Sequence, residues 1–109
     1  MATIDDFQKL DIRVGTIIQA KNFPEARKPA IQLRIDFGDL GSKWSSAQIT
    51  RRYDTDTLVG RQVVAVVNLP PRRIADFVSE VLVLGGIPEE GDVVLLQPDC
   101  VIPNGTPIA

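Results

Sequence analysis

A chain of 109 residues with an apolar share of 44% has room for one compact domain, residues 1–109, and can bury a core without disulfide or metal. Its formal charge of −2 excludes the global basic footprint of a dedicated nucleic-acid binder, so RNA contact would need a local patch such as Arg27-Lys28, Arg51-Arg52 or Arg72-Arg73. One cysteine, Cys100, excludes an internal disulfide and suits a reducing compartment; the absence of a basic leader and of any membrane-length apolar run predicts a cytoplasmic protein without membrane insertion.

In chain order, Thr3 followed by Ile4, Asp5 and Asp6 predicts a capped short helix to about Lys9, with Phe7 as its apolar anchor. Ile12-Arg13-Val14 opens a strand that Gly15 is expected to bend or bulge before Ile17 and Ile18 resume it. Phe23–Pro29 is a loop. Ile31, Leu33, Ile35 and Phe37 alternate with Gln32, Arg34 and Asp36, which predicts a strand buried on one face. Gly38–Gly41 is a turn, and Lys43–Ile49 a third strand. Thr50 is placed as the cap of a short helix to about Asp56, with Gly60 after its end. Arg61–Asn68 reads as a β-branched strand stopped by Pro70-Pro71. Ile74–Leu84 contains a strand, strongest at Val81–Leu84, that Gly85-Gly86 closes. Asp92–Gln97 is a further strand, and Val101-Ile102 a possible edge strand in a proline-broken tail. Short strands at this spacing suggest a sandwich or barrel.

The chemistry of catalysis is thin. The chain has no histidine, so neither a cysteine–histidine nor a serine–histidine pair can be built. Asp5-Asp6 is explained by helix capping, Asp54-x-Asp56 by its place beside a short helix, and Glu89-Glu90 by a solvated turn. No phosphate-cradling glycine loop with a following lysine is present. The expectation is a binding module, not an enzyme, with no cofactor and no metal.

Six segments together resemble a known family. They are KLDIRVGTI (Lys9–Ile17), ARKPAIQLRIDFG (Ala26–Gly38), KWSSAQIT (Lys43–Thr50) followed by Tyr53, LVGRQVVAVVNLPPRRI (Leu58–Ile74), SEVLVLG (Ser79–Gly85) and VIPNGTPIA (Val101–Ala109). In this order they are similar to the tRNA-binding-domain family, which also occurs as domains appended to aminoacyl-tRNA synthetases. SSAQIT, NLPPRR and SEVLVLG point more narrowly to the CsaA-type export chaperones. The resemblance implies an all-β OB-fold, a five-stranded barrel with short flanking helices and extra terminal strands. It also implies a homodimer without catalysis, and two ligand classes: non-native or exported polypeptides, bound without ATP, and tRNA, read by shape and phosphate contacts. The chain departs from the RNA-binding branch at Phe23-Pro24 and Ala26-Arg27-Lys28, where that branch carries His-Pro and Ala-Asp-Lys-Leu. Leu82 stands for an expected methionine and Asp76 for an expected glycine.

The candidate residues follow. Lys28, Lys43, Arg51, Arg52, Arg72 and Arg73 could track a phosphate backbone, and Ser79 carries the family's RNA-contact match; a solvated mixed surface is the alternative. Trp44 could stack a base or an apolar side chain, or sit in the core or a dimer interface. Ser45, Ser46 and Gln48 offer small polar groups to a peptide backbone, and Phe77 is either a pocket edge or barrel core. Phe7 and the proline-rich tail are assigned to the dimer interface because both are marginal alone.

Overall fold

The reciprocal cap expected of Thr3 forms. Its hydroxyl accepts from the Asp6 amide at 3.2 Å and the Asp6 carboxylate accepts from the Thr3 amide at 2.9 Å, which starts helix α1, Ile4–Gln8. The computed structural model describes residues 1–109. Strands β1 (Ile12–Asn22), β2 (Ile31–Asp36) and β3 (Ser42–Ala47) follow, then helix α2 (Thr55–Leu58) and strand β4 (Gln62–Val66). Two hairpins, β5 (Arg72–Ile74) with β6 (Phe77–Ser79) and β8 (Gly85–Glu89) with β9 (Asp92–Leu95), flank the short strand β7 (Leu82–Val83).

The main sheet is antiparallel in the order β3-β2-β1-β4-β7, and it curls into the nearly closed five-stranded barrel of the OB type. Strand β1 makes this possible by serving two neighbours in succession: Ile12–Thr16 pair with β4 and Thr16–Asn22 with β2. The bulge that bends β1 lies between Ile17 and Gln19, not at Gly15. Gly15 answers a different need, since a Cβ there would stand 2.6 Å from Ile35 and 2.8 Å from the Phe37 ring inside the barrel. The interior holds Ile17, Ile31, Leu33, Ile35, Phe37, Ile49, Leu58, Val63, Ala65 and Val81.

β4 is apolar on both faces because both are covered. Val63 and Ala65 face the barrel, whereas Val64 and Val66 join Ile12 and Val14 in an outer cluster capped by Leu84 and Ile102. The C-terminal tail holds that cluster down. Its backbone bonds to β1 on the side β4 leaves free: Val14 donates to Thr106, Gly105 to Val14 and Ile108 to Ile12, at 2.7 to 3.0 Å.

Three further expectations need correction. The second helix is capped by Asp54, whose carboxylate accepts from the Asp56 and Thr57 amides, so Thr50 lies in a turn before it. The strand expected within Ile74–Leu84, strongest at Val81–Leu84, is present as β7, and the segment also holds β6, because Ala75 adopts a left-handed φ of 52° and turns the chain back as the β5–β6 hairpin. Gly85-Gly86 opens β8 instead of closing a strand; a Cβ on Gly85 would meet Val93 at 2.6 Å. Val101-Ile102 forms no strand, and the tail's contact with β1 comes later, through Gly105–Ile108.

Candidate functional site

The register of β1, β2 and β3 decides what the barrel shows to solvent. Gln32 lies opposite Lys21 and Ser46, and Arg34 opposite Gln19 and Trp44. These residues alternate with buried Ile31, Leu33, Ile35 and Ser45, so they form the outer face. The loop 23–30 after β1 borders it at one side and the β5–β6 hairpin at another. Such a strand face with flanking loops is where OB barrels take their ligands.

Barrel closure anchors this face. Glu80 donates its amide to the Trp44 carbonyl at 2.8 Å, and the Trp44 amide donates to the Glu80 carboxylate at 2.9 Å. The Ser46 amide donates to the Ser79 hydroxyl at 3.0 Å, and the Ser45 hydroxyl to the Val81 carbonyl at 2.9 Å. Ser45 is thus 1% exposed and fully engaged inside the barrel, which removes it from the peptide-contact set. Its small size lets Val81 approach.

Trp44 is half-buried on the outer face, neither core nor free. Its ring meets Phe77 edge-on at 5.8 Å, and Phe77 in turn packs against Phe23 at 5.3 Å. Lys21 Nζ sits 5.6 Å over the indole. Two shallow cavities open on either side of Phe77, of about 300 and 340 Å³. Phe23, Glu25 and Ala75 line the first, Lys21, Trp44, Val78 and Glu80 the second, and Gln32, Asp76 and Phe77 both. Together they form one groove: a row of three rings, Phe23 buried and Phe77 and Trp44 half-buried, edged by three carboxylates and one ammonium. Lys21, Glu25 and Glu80 carry no motif in the sequence, and Phe23 stands out there only as a departure from the RNA-binding branch; the outward positions of the alternating second strand hold the signal for Gln32.

A third cavity of about 260 Å³ continues past Glu80, between Ser46, Pro70, Arg72, Ile74 and Ser79. The hairpin register sets Arg72 opposite Ser79 and Arg73 opposite Val78, so the two arginines leave opposite faces of the ribbon. Arg72 lines the third cavity. Arg73 folds back on its own turn, donating to the Ala75 carbonyl at 3.2 Å and pairing with Asp76 at 3.5 Å. Lys28 and Gln48 are exposed, Lys43 is half-buried, and none of the three lines the groove.

The structure does not bring Arg51 and Arg52 to this face. Arg51 pairs with Glu89, and Arg52 makes a two-pronged pair with Asp92, tying the 49–53 turn to the β8–β9 hairpin. Asp92 is buried, and the hydrogen bonds from Arg52 hold its carboxyl below the ordinary aspartate range despite the opposing effect of burial. A lowered native value means that the pair stabilises the fold above the ordinary carboxylate range and loses that contribution as pH falls through the lowered value. Asp92→Asn should therefore lower the melting temperature by several degrees at neutral pH, and the gap to wild type should shrink in acid. Thermal melts across that pH range check both.

Phe7 reaches no ring of the groove. With Ile4, Leu10, Ile12, Pro107 and Ile108 it lines a cavity of about 500 Å³ where α1 meets the tail. The fold thus sets α1 and the tail side by side. No three histidine, cysteine, aspartate or glutamate side chains gather as a metal site, and no helix is long and apolar enough to cross a membrane.

The family model described as "Putative tRNA binding domain" matches residues 12–107. Among solved structures, the chaperone CsaA of Bacillus anthracis str. Ames is 63% identical with a TM-score of 0.96, over 100% of this chain and 99% of its own. The CsaA chaperone protein of Picrophilus torridus is 53% identical with a TM-score of 0.92, over 100% of both chains. The methionine–tRNA ligase of Methanococcoides burtonii is 33% identical over 99 residues, which are 91% of this chain and 14% of that protein. The chain thus spans about one-seventh of the length of such curated relatives.

Proposed function

Because the chain belongs to the tRNA-binding-domain family, we propose that it is a polypeptide-binding chaperone of the CsaA type, holding non-native or exported polypeptides without ATP and without a catalytic step. The observation that carries this reading is the aromatic groove of Phe23, Phe77 and Trp44, where carboxylates outnumber cations. Apolar side chains of an unfolded segment gain by leaving water there, whereas a phosphate chain would run along Glu25, Asp76 and Glu80. Trp44, Ser46 and Phe77 are the assigned peptide contacts. Gln48 lies exposed on the same strand's exit. The protein acts as a homodimer through the cavity between α1 and the tail, with Phe7 at its centre. It works in the cytoplasm, where an exposed Cys100 stays reduced.

One observation favours tRNA as a second ligand: Arg72 and Ser79 face each other in the third cavity beside Ser46, with Lys21 further along the same face. Exposed Lys28 would extend this track, and Lys43 its far end; Arg51 and Arg52 would join only by giving up Glu89 and Asp92.

The deciding experiment measures binding of the purified protein to a reduced, unfolded polypeptide and to bulk tRNA, each at low and near-physiological salt, with the molecular mass determined in the same solutions. Salt-tolerant polypeptide binding by a species of twice the chain mass is expected. Tight tRNA binding that falls steeply with salt, without polypeptide binding, would overturn the chaperone reading and make tRNA primary.

A further inference from the structure

The groove poses a selection problem. Half-buried rings such as Trp44 and Phe77 accept unpaired bases as readily as apolar side chains, because every base offers a π-face. An OB face with Lys21 over Trp44 and Arg72 close by would therefore attract single-stranded nucleic acid unless something opposed the phosphates.

We propose that Asp76 is the specificity-determining residue of this groove: its carboxylate excludes phosphate-bearing strands from the ring surface. Four observations place it there. Asp76 lines both cavities beside Phe77, so a strand seated in either one meets its carboxylate. Its side chain is fully exposed, so its charge is unburied, and it holds no backbone amide, unlike Glu80, which takes the Trp44 amide. It pairs with Arg73 and so also takes away a cation that could bind phosphate. The turn that presents it is held in an unfavourable conformation, with Ala75 left-handed and its carbonyl tied to Arg73. A bound polypeptide lacks backbone charge and does not meet this barrier. The proposal deepens the polypeptide reading above and rests on it for the preferred ligand.

The test compares Asp76→Asn with Glu90→Gln, which removes the same charge from the β8–β9 turn outside the groove. The probe is a labelled oligouridine titrated at several salt concentrations. Asp76→Asn should bind it roughly three- to tenfold more tightly at low salt, the effect of removing one like charge at close range in high dielectric. Its log–log salt slope should steepen by about 0.7, one additional phosphate contact. Adding Trp44→Ala to Asp76→Asn should abolish the gain. An equal gain in Glu90→Gln, no gain in Asp76→Asn, or a gain that survives Trp44→Ala would each overturn the assignment. Polypeptide binding by the wild type is measured separately, so its absence sinks the chaperone reading while the oligouridine comparison still decides the role of Asp76.

Discussion

Trp44→Ala is expected to weaken binding of an unfolded polypeptide by roughly tenfold or more, the scale of an interface hot spot, while leaving the fold intact. Trp44 is the ring with the largest apolar surface on the outer face, and it holds two neighbours in place: Phe77 packs edge-on against it and the Lys21 ammonium rests over it. Truncation would remove that surface and free Phe77 to collapse toward Phe23. The strand itself should persist, since the bonds that close the barrel at this point use the Trp44 backbone and the side chains of Ser45, Ser79 and Glu80. Trp44→Phe separates the possibilities: it keeps a ring against Phe77 and should recover most of the affinity. Titration of a fluorescent unfolded polypeptide, with circular dichroism on the same samples, reads both effects. Unchanged affinity in a folded Trp44→Ala protein would move the binding surface away from the groove.

The part of this site that was legible in the sequence is the part governed by local pattern. Alternation in Ile31–Phe37 is strict, so the outward placing of Gln32 and Arg34 followed from period alone. Trp44 stood in a strand of small residues whose buried face could not be read from polarity. Register settled it, because pairing Ser45 with Leu33 turns Trp44 outward. The three basic pairs looked equivalent as sequence, yet long-range partners decide their worth. Arg51 and Arg52 meet carboxylates 38 and 40 residues away, and the ribbon that the hairpin turn creates sends Arg72 and Arg73 to opposite faces. That turn was itself invisible, since it is made by an alanine in a conformation alanine seldom adopts. The Phe23–Phe77 contact joins the loop after β1 to the first residue of β6, far apart in the chain, and left no local trace.

The tail carries the largest expected effect on stability. A chain ending at Cys100 should lose about 4 kcal/mol or more, from three inter-strand hydrogen bonds at about 1 kcal/mol each and the re-exposure of an apolar cluster. The bonds are the Val14 amide's to the Thr106 carbonyl and those of the Gly105 and Ile108 amides to β1, and the cluster is Ile12, Val14, Val64 and Val66, which Ile102 helps cover. Polar groups would be stranded as well. Asn104 accepts from the Thr16 hydroxyl at 2.7 Å and from Gln62 at 3.1 Å, Gln62 bonds both backbone groups of Ile102, and Arg13 donates to the Gly105 carbonyl at 3.0 Å. A loss of that size is a large fraction of the roughly 5–15 kcal/mol that holds a domain together. Urea titration should show an early midpoint or no cooperative transition at all. A truncated chain with an unshifted midpoint would mean that β1 and β4 hold their register without the strap. The tail would then serve only the cavity it shares with Phe7, and a drop in molecular mass to that of one chain, without loss of stability, would be the sign of it.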